Sequence, residues 1–435
     1  MFQTLVQSFK SKDLRKKLLL TLLILFIYRI GCWLPIPGLD LSKSIQGDFL
    51  SLLNSVTGGA LANGSLLALG VIPYISASII IQLLTVAIPA LERLSKSGEE
   101  GRRKLTFYTR IAALIFALIQ AIAIVINLSS SDAINSMALG SAMPSWLVSA
   151  VIITVLVAGA MFTLWLGEKI TDLGIGNGVS LLIFVGIVCS AGTAILGAFS
   201  DISATNLDGL WTILIFAIML IAVFALIVFV DLAERKIPVN YAKQIKGRKM
   251  YGGQSTHIPI KVNGSGVLPI IFATALVAFP QLVMQLFGVA DGNSFYDWWS
   301  EWLGTGTVVY FLLNALLIFF FTYFYAQITF NPEEVSRTLQ QNGGFIPGIR
   351  AGRPTMDYLK KISRRITLFG AIYLALIFVV PTVALSLVPS DTVVSGSLVN
   401  AFTVTGLLIV VSVALEFDKQ LDAQLLAKNY RGFLK

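Results

Sequence analysis

The stretch GVIPYISAS at residues 70–78 opens a long apolar run, and GVLPIIFAT at residues 266–274 opens another in the later half of the chain. Both stretches begin with Gly-Val-x-Pro. A proline in the first turn of a helix is tolerated because the N–H that it lacks would have had no partner within the helix. The two stretches therefore predict the broken starts of two membrane-buried helices. The alternative is that two unrelated transmembrane helices share a short motif by chance.

Each of the two helices has a face that changes from aliphatic to polar along its length. At helical spacing, the first face carries Val71, Ile75, Ser78, Gln82 and Thr85, and the second carries Val267, Ile271, Thr274, Ala278 and Gln281. A polar face is disfavoured against lipid, so each should face protein or a water-filled cavity. Paired segments of this kind, at corresponding positions of two halves, indicate the working centre of a membrane protein built from repeats.

The composition is typical of a membrane protein. Of the 435 residues, 56% are hydrophobic and 13% are charged, whereas about a quarter of the residues of soluble proteins are charged. At roughly twenty apolar residues per span, ten spans are predicted near residues 18–34, 67–88, 107–127, 146–166, 178–199, 210–231, 266–287, 308–328, 366–387 and 399–416. The sequence therefore predicts an all-α polytopic membrane protein with ten transmembrane helices.

The distribution of charge orients these spans. The connections on one side hold nearly every lysine and arginine, whereas Lys43 is the one such residue among the connections on the other side. By the positive-inside rule, both termini lie in the cytoplasm. Because each half has five spans, an odd number, the second half enters the membrane upside down. We therefore expect two inverted, pseudo-symmetric halves that form a clamshell around a central path.

The domain limits follow from the spans: a cytoplasmic amphipathic arm at 1–17, an N-terminal half at 18–200, a C-terminal half at 201–416 with long cytoplasmic loops at 232–265 and 329–365, and a cytoplasmic tail at 417–435. In the N-terminal half, an outer segment at about 48–69 is too polar and glycine-rich to span the membrane. It suits a re-entrant plug that folds back into a cavity. A surface loop is the alternative, and the composition leaves both open.

The sequence contains no catalytic constellation, no cofactor motif and no cluster of metal ligands. The glycine-rich GIGNG at 174–178 follows no predicted strand and lacks a Lys-Ser/Thr pair, so we interpret it as a tight turn between two helices. Without a Walker motif, any ATP-driven work would fall to a partner. The middle of each predicted span also lacks ionisable residues, which counts against an ion-coupled transporter.

Branched aliphatic side chains stand where a transporter would need polar groups. Val71 and Ile75 form an i, i+4 pair, and Val179 and Ile183 form another at the start of the fifth span. A ring of such side chains can close a pore to ions by dewetting it. Ordinary helix packing is the alternative explanation of both pairs.

Three basic clusters lie on the predicted cytoplasmic side, at 102–104, 243–249 and 350–365. They obey the positive-inside rule and suit contact with anionic lipids. The last two occupy the long loops, and loops rich in Arg, Gly and Pro also suit the docking of a large acidic or nucleic-acid partner.

Short motifs run through nearly the whole chain: PIPG at 35–38, GAL at 59–61, PYISASIIIQLL at 73–84, GRRK at 101–104, GIGNG at 174–178, VNYA at 239–242, QSTH at 254–257, NP at 331–332 and FIPGIR at 345–350. In this order they resemble the bacterial SecY family, the central subunit of the Sec protein-conducting channel. The resemblance implies ten helices in two inverted halves around an hourglass pore, with a plug and a lateral gate.

The resemblance also assigns residues to these parts by position in the family motifs. It implies a pore ring of Val71, Ile75, Val179, Ile183, Ile271 and Ile409, in which two valines replace the isoleucine common in bacterial members. It implies a plug formed by Gly59, Ala60, Leu61, Ala62, Asn63, Gly64, Ser65, Leu66 and Leu67. The gate would lie between spans 2–3 and 7–8, with Ser78, Gln82, Thr85, Gln120 and Thr274 as its polar candidates.

From the same resemblance we expect a passive channel, not an enzyme, in the bacterial cytoplasmic membrane. It would pass unfolded secretory polypeptides and release hydrophobic segments sideways into lipid. The expected partners are the SecE and SecG subunits, the SecA motor ATPase, the ribosome, signal peptides with their nascent or preprotein chains, and anionic lipids. Arg248, Lys249 and Arg350 are the expected docking residues for SecA and the ribosome. A secondary transporter of a small solute is the alternative.

Overall fold

The structure is a computed structural model that describes residues 2–37, 39, 57–130, 144–174, 176–200, 208–241, 244–246, 249–251, 255–286, 294–304, 307–386 and 404–432. The chain forms two compact units. Unit 1 comprises Met1–Leu214, Ala275–Thr307 and Val388–Lys435, and unit 2 comprises Ile215–Thr274 and Val308–Leu387. These units are defined by packing within the chain, so the predicted limits of the inverted halves stay a prediction.

Helices make up most of the described chain. They are α1 (Phe2–Lys10), α2 (Lys12–Gly31), α3 (Ile72–Ala87), α4 (Pro89–Lys96), α5 (Glu99–Ser130), α6 (Ser145–Leu173), α7 (Gly178–Ser200), α8 (Asp208–Leu232), α9 (Leu268–Leu286), α10 (Ser294–Leu303), α11 (Val308–Thr329), α12 (Pro332–Gln341), α13 (Arg353–Ser386) and α14 (Val404–Gly432). The strands are β1 (Glu234–Tyr241), β2 (Gln244–Lys246), β3 (Lys249–Tyr251), β4 (Ser255–Lys261) and β5 (Gly344–Phe345).

A helix lies in each of the ten windows where a span is predicted. Among the described residues, four stretches are long and apolar enough to cross a membrane: Glu99–Ser129, Ser145–Leu173, Val308–Gln341 and Arg353–Val380. The pair α3 and α4, which is bent by 102°, would be a fifth if it counts as one span. The chain is therefore a multi-pass membrane protein by length and composition, and the number ten stays a prediction.

The two Gly-Val-x-Pro stretches begin helices as predicted. The first residue of α3 is Ile72, so Pro73 lies in the first turn, and Val71 precedes the helix. Likewise α9 begins at Leu268, which puts Pro269 in its first turn. In the first turn of a helix a backbone N–H would have no partner within the helix, so proline is tolerated at both positions.

Unit 1 is a stack of helices in which α3 packs on α5, α5 on α6, α6 on α7 and α7 on α14. Its main core joins Ile124 of α5 to Ile152 and Leu156 of α6. The small side chains of Ala117 and Ala121 lie in the same cluster. Small residues allow close backbone approach, so other parts of the chain can pack directly against α5.

Unit 2 combines helices with a small sheet. The long helices α11 and α13 pack along each other. Strand β1 pairs antiparallel with both β4 and β5, so that Val239 lies opposite Thr256 and Asn240 lies opposite Phe345. The all-α prediction lacks this sheet, which forms from parts of the two long loops.

The sheet has a core of its own. Ile237 and Val239 of β1 are buried together with Leu339 of α12, Ile346 after β5 and Leu359 of α13. Only one face of β1 is apolar, as the alternating burial of its residues shows. The two long loops are thus packed against each other and against the start of α13. The basic residues of these loops therefore lie beside a folded core.

Candidate functional site

Residues 57–71, which lead into α3, have an irregular backbone, yet all of them except the exposed Ala62 and Asn63 are buried or partly buried in unit 1. Leu61, Ala68 and Leu69 belong to the same core cluster as α5 and α6. Two backbone hydrogen bonds join the segment to the residues that follow α2. The amide of Ile36 donates to the carbonyl of Gly64 at 2.8 Å, and the amide of Leu66 donates to the carbonyl of Leu34 at 2.9 Å. We call residues 57–71 the buried segment.

Of the two interpretations of this region, the surface loop does not fit residues 57–71. Irregular backbone is tolerated at membrane depth only where protein or water surrounds it, and here helices of unit 1 surround it. The earlier part of the predicted segment, residues 48–56, lies outside the described residues. That the buried segment acts as a plug stays a prediction.

Two glycines of the neighbouring helices make room for the buried segment. A Cβ on Gly31 of α2 would lie 2.4 Å from Cδ1 of Leu67, and a Cβ on Gly159 of α6 would lie 1.9 Å from the carbonyl oxygen of Leu66. Real Cβ atoms do not approach other atoms so closely. The packing therefore requires glycine at position 159, where the neighbour is backbone, whereas a side chain at position 31 would force the Leu67 side chain to shift.

Five of the six predicted ring residues belong to unit 1. Val71 precedes α3 and is 3% exposed, and Ile75 lies one turn later and is partly buried. On α7, Val179 is partly buried and Ile183 is 5% exposed, while Ile409 of α14 is 6% exposed. Ile271 lies on α9 in unit 2. The ring itself stays a prediction.

The start of α7, and with it the position of Val179, is fixed by the glycine-rich turn. Gly174 ends α6 in the left-handed conformation, with a φ of 76°. The side-chain oxygen of Asn177 accepts a hydrogen bond from the amide of Val179 at 3.1 Å and so caps α7. From α14, the amide group of Gln424 donates to the carbonyl of Gly174. The predicted tight turn between two helices is confirmed.

The polar face of α3 is held together by its own hydrogen bonds. The Gln82 amide donates to the hydroxyl of Ser78 at 3.3 Å, and the Thr85 hydroxyl donates to the carbonyl of Gln82 at 2.6 Å. On α9, the hydroxyl of Thr274 donates to the carbonyl of Ile270 at 3.0 Å. Each of these three hydrogen bonds lies within a single helix, and the role of these residues in a gate stays a prediction.

Gln120 differs from the other gate candidates. It is 3% exposed on α5, and its side-chain carbonyl oxygen has no hydrogen-bond partner within the described part of the chain. A buried acceptor without a partner costs about 1–3 kcal/mol. The packing of unit 1 around Gln120 therefore carries a free-energy cost that a hydrogen bond to this oxygen would remove.

The predicted docking residues differ in how far the structure describes them. Arg350 is exposed in the turn between β5 and α13, and its carbonyl accepts a hydrogen bond from the Thr355 hydroxyl at 2.8 Å. Lys249 begins β3 and pairs with Lys246 of β2. Arg248 lies outside the described residues. Among the described residues, no group of three or more His, Cys, Asp or Glu could hold a metal ion.

Comparison with known proteins decides the family. The model of the SecY family matches residues 65–417. The chain belongs to the SecY family. It is 42% identical over 454 residues to the protein translocase subunit SecY of Mycobacterium tuberculosis, with all of both chains covered. It is 43% identical over 455 residues to the subunit of Streptomyces galbus, again with all of both chains covered. The predicted family membership is confirmed.

Solved structures share the SecY fold with this chain. A structure described as that of a protein conducting channel has a TM-score of 0.66 and 19% identity, with 92% of this chain and 90% of that chain covered. A structure of the SecY channel with its plug domain has a TM-score of 0.60, 19% identity and the same coverage. Sec61 in a canine ribosome-channel complex has a TM-score of 0.59 and 18% identity, with 92% and 90% covered.

Sequence reasoning missed the residues that hold the buried segment in this SecY-family chain. Gly31 and Gly159 received no role, although both lie within predicted apolar spans. A glycine inside a membrane helix is a signal of close backbone approach. That signal could have predicted close contacts at these two helices, but not that the buried segment makes them.

Proposed function

We propose that the chain is the channel subunit of a protein translocase. Unfolded secretory polypeptides cross the cytoplasmic membrane through it, and hydrophobic segments leave it sideways into lipid. One observation carries the proposal: in a chain of the SecY family, an irregular segment lies buried among helices directly before the Gly-Val-x-Pro helix. A segment without regular structure can be displaced from the interior without unfolding a helix.

The proposed architecture is a clamshell of ten transmembrane helices in two inverted halves around an hourglass pore. It is supported by a helix in each of the ten predicted windows and by the fold shared with channel structures. In this arrangement residues 59–67 of the buried segment form the plug. The ring residues are Val71, Ile75, Val179, Ile183, Ile271 and Ile409, and the gate lies between spans 2–3 and 7–8.

Such a channel selects hydrophobic segments by their partition between the aqueous pore and the lipid. Burial of apolar surface is favourable by about 25 cal/mol per Å², so a segment of about twenty apolar residues gains free energy when it reaches lipid. The channel has only to let the segment sample the lipid phase. No catalytic residue takes part, and the proposed chain hydrolyses neither ATP nor GTP.

The driving force comes from partners in this proposal, either the SecA motor or the translating ribosome. A ribosome is supported by the likeness to Sec61 from a ribosome-channel complex. The exposed Arg350, which lies beside the core of the sheet, is the proposed docking residue, with Arg248 and Lys249. SecE and SecG complete the channel, anionic lipids contact the basic clusters, and both termini lie in the cytoplasm. The small-solute transporter is not favoured by any of the relatives.

Site-specific photocrosslinking during arrested export of a secretory preprotein tests the proposal. Probes at Ile75 and Ile271 should both crosslink to the arrested chain. A probe at Leu312, which is 66% exposed on α11, is the matched control and should not. If neither ring position crosslinks while the preprotein is shown to span the membrane, the channel assignment is wrong and solute uptake should be measured instead.

A further inference from the structure

A cation lies close to the start of the buried segment. Arg29 lies in the last turn of α2, between the buried residues Tyr28 and Gly31, and its own side chain is partly buried. An arginine within an apolar span is costly and needs partners for its guanidinium. Residues that carry such a cost commonly have a function, and the partner indicates which.

Arg29 binds the backbone of the buried segment, in addition to a side-chain contact with Cys32. Its Nη1 donates to the carbonyl oxygen of Gly58 at 3.0 Å, across 29 residues of chain. Gly58 has a φ of 71°, in the left-handed region that favours glycine. A Cβ there would lie 2.7 Å from Nη1 of Arg29 and 2.5 Å from the carbonyl oxygen of Gly186 on α7. Gly58 is thus enclosed by the arginine and by the backbone of α7.

A charged donor suits this position for a physical reason. The carbonyl groups of an irregular segment have no helical partner, and each needs one when it is buried. A hydrogen bond from a charged group is about twice as strong as one between neutral groups. One guanidinium can therefore fix the first turn of the segment, while the glycine contacts further along provide only packing.

We propose that Arg29 is a positioning residue that holds the buried segment in its closed place by binding the carbonyl of Gly58. The inference rests on the proposed function in one respect, that the buried segment contains the plug of a channel. Without the guanidinium, the segment loses its charged hydrogen bond at Gly58, so it opens more often. The surrounding helices keep their own hydrogen bonds and their core.

Hydrogen exchange of the full-length chain, purified with its natural partner subunits in lipid nanodiscs, tests the bond directly. Arg29→Met should raise the exchange rate of amides in residues 57–70, with α6 unchanged. Loss of a charged hydrogen bond of this kind corresponds to about a ten- to hundredfold rise. Arg29→Lys keeps a charged donor and should restore part of the protection.

Arg110→Met is the matched control. Arg110 of α5 binds Glu168 of α6 at 2.7 Å, so this variant also removes a bonded arginine from unit 1 but leaves the buried segment untouched. Exchange in residues 57–70 should stay unchanged in it. Unchanged exchange in Arg29→Met, a rise throughout the chain, or equal exchange in the Met and Lys variants would each overturn the proposal.

Ion conductance of vesicles containing the same variants separates this inference from the proposed function. A selective rise in exchange together with an ion leak supports both. A selective rise without a leak leaves the role of Arg29 standing and contradicts a sealing role for the segment. If Arg29→Met leaves exchange unchanged while a ring variant leaks, the channel stands and the role of Arg29 is wrong.

Discussion

The carbonyl oxygen of Leu66 occupies the space where Gly159 would carry a side chain. A Cβ on Gly159 would lie 1.9 Å from that oxygen and 3.0 Å from its carbon. The neighbour is backbone, so it cannot turn aside as a flexible side chain can. This approach of two backbones makes the buried segment sensitive to a single methyl group on α6.

Gly159→Ala should therefore displace the buried segment. Overpacking of this kind costs about 1–3 kcal/mol, although alanine alone would favour the helix by roughly 0.5–1 kcal/mol. Thermal unfolding and hydrogen exchange of residues 57–70 measure the effect. Gly192→Ala on α7 is the control, because a Cβ there meets no atom within 4 Å. Equal stability and exchange in the two variants would contradict the packing described for Leu66.

Ser65→Ala should have the opposite effect and stabilise the buried segment. The Ser65 hydroxyl is buried and has no hydrogen-bond partner within the described residues. Its removal should gain about 1 kcal/mol, because an unsatisfied buried group carries a desolvation cost of about that size. Amides of residues 57–70 should then exchange about fivefold more slowly at the corresponding free energy.

Thr163→Val provides the contrast to Ser65→Ala. The Thr163 hydroxyl is also buried, but it donates to the carbonyl of Gly159 at 2.8 Å. Its loss should lower the free energy of unfolding or leave it unchanged. If Ser65→Ala destabilises the segment as much as Thr163→Val destabilises the chain, the Ser65 hydroxyl has a partner after all.

The sequence predicted those features that depend on local chemistry. Pro73 and Pro269 mark the first turns of α3 and α9 because proline is best tolerated there, and GIGNG marks a turn because Gly174 adopts a positive φ. The family followed from motifs spread along the chain. Each of these signals is readable within a few residues.

The features that sequence reasoning missed depend on contacts between distant residues. The polar, glycine-rich composition of residues 57–71 suits a surface loop as well as a buried segment, and only the packing of Leu61 and Leu66 decides. The sheet was missed because β5 has two residues, Gly344–Phe345, and joins β1 from another part of the chain. Short strands with such remote partners leave almost no periodic signal.

Ile75→Gly combined with Ile271→Gly should make vesicles leak ions in the resting state. Branched aliphatic side chains close a narrow pore by excluding water, and glycine at two ring positions widens and wets it. Leu118→Gly with Leu312→Gly is the control, since both leucines are exposed on helices and the loss of helix propensity is the same. Unchanged conductance of the ring variant would show that these two isoleucines do not form the seal.

Arg350→Glu should block export driven by the SecA motor, while insertion of the chain into the membrane and its thermal stability stay intact. The exposed side chain of Arg350 contributes little to stability, and its backbone carbonyl, which accepts from Thr355 at 2.8 Å, is unaltered. A reversed charge repels an acidic partner that the arginine would attract. Translocation of a preprotein into inverted vesicles measures the effect.

Arg337→Glu on α12 is the control. It breaks only an exposed ion pair with Glu333 at 3.9 Å, worth about 0.3–0.5 kcal/mol. Normal export by the Arg350 variant would remove this residue from the docking surface and leave Arg248 and Lys249 to be tested in the same assay.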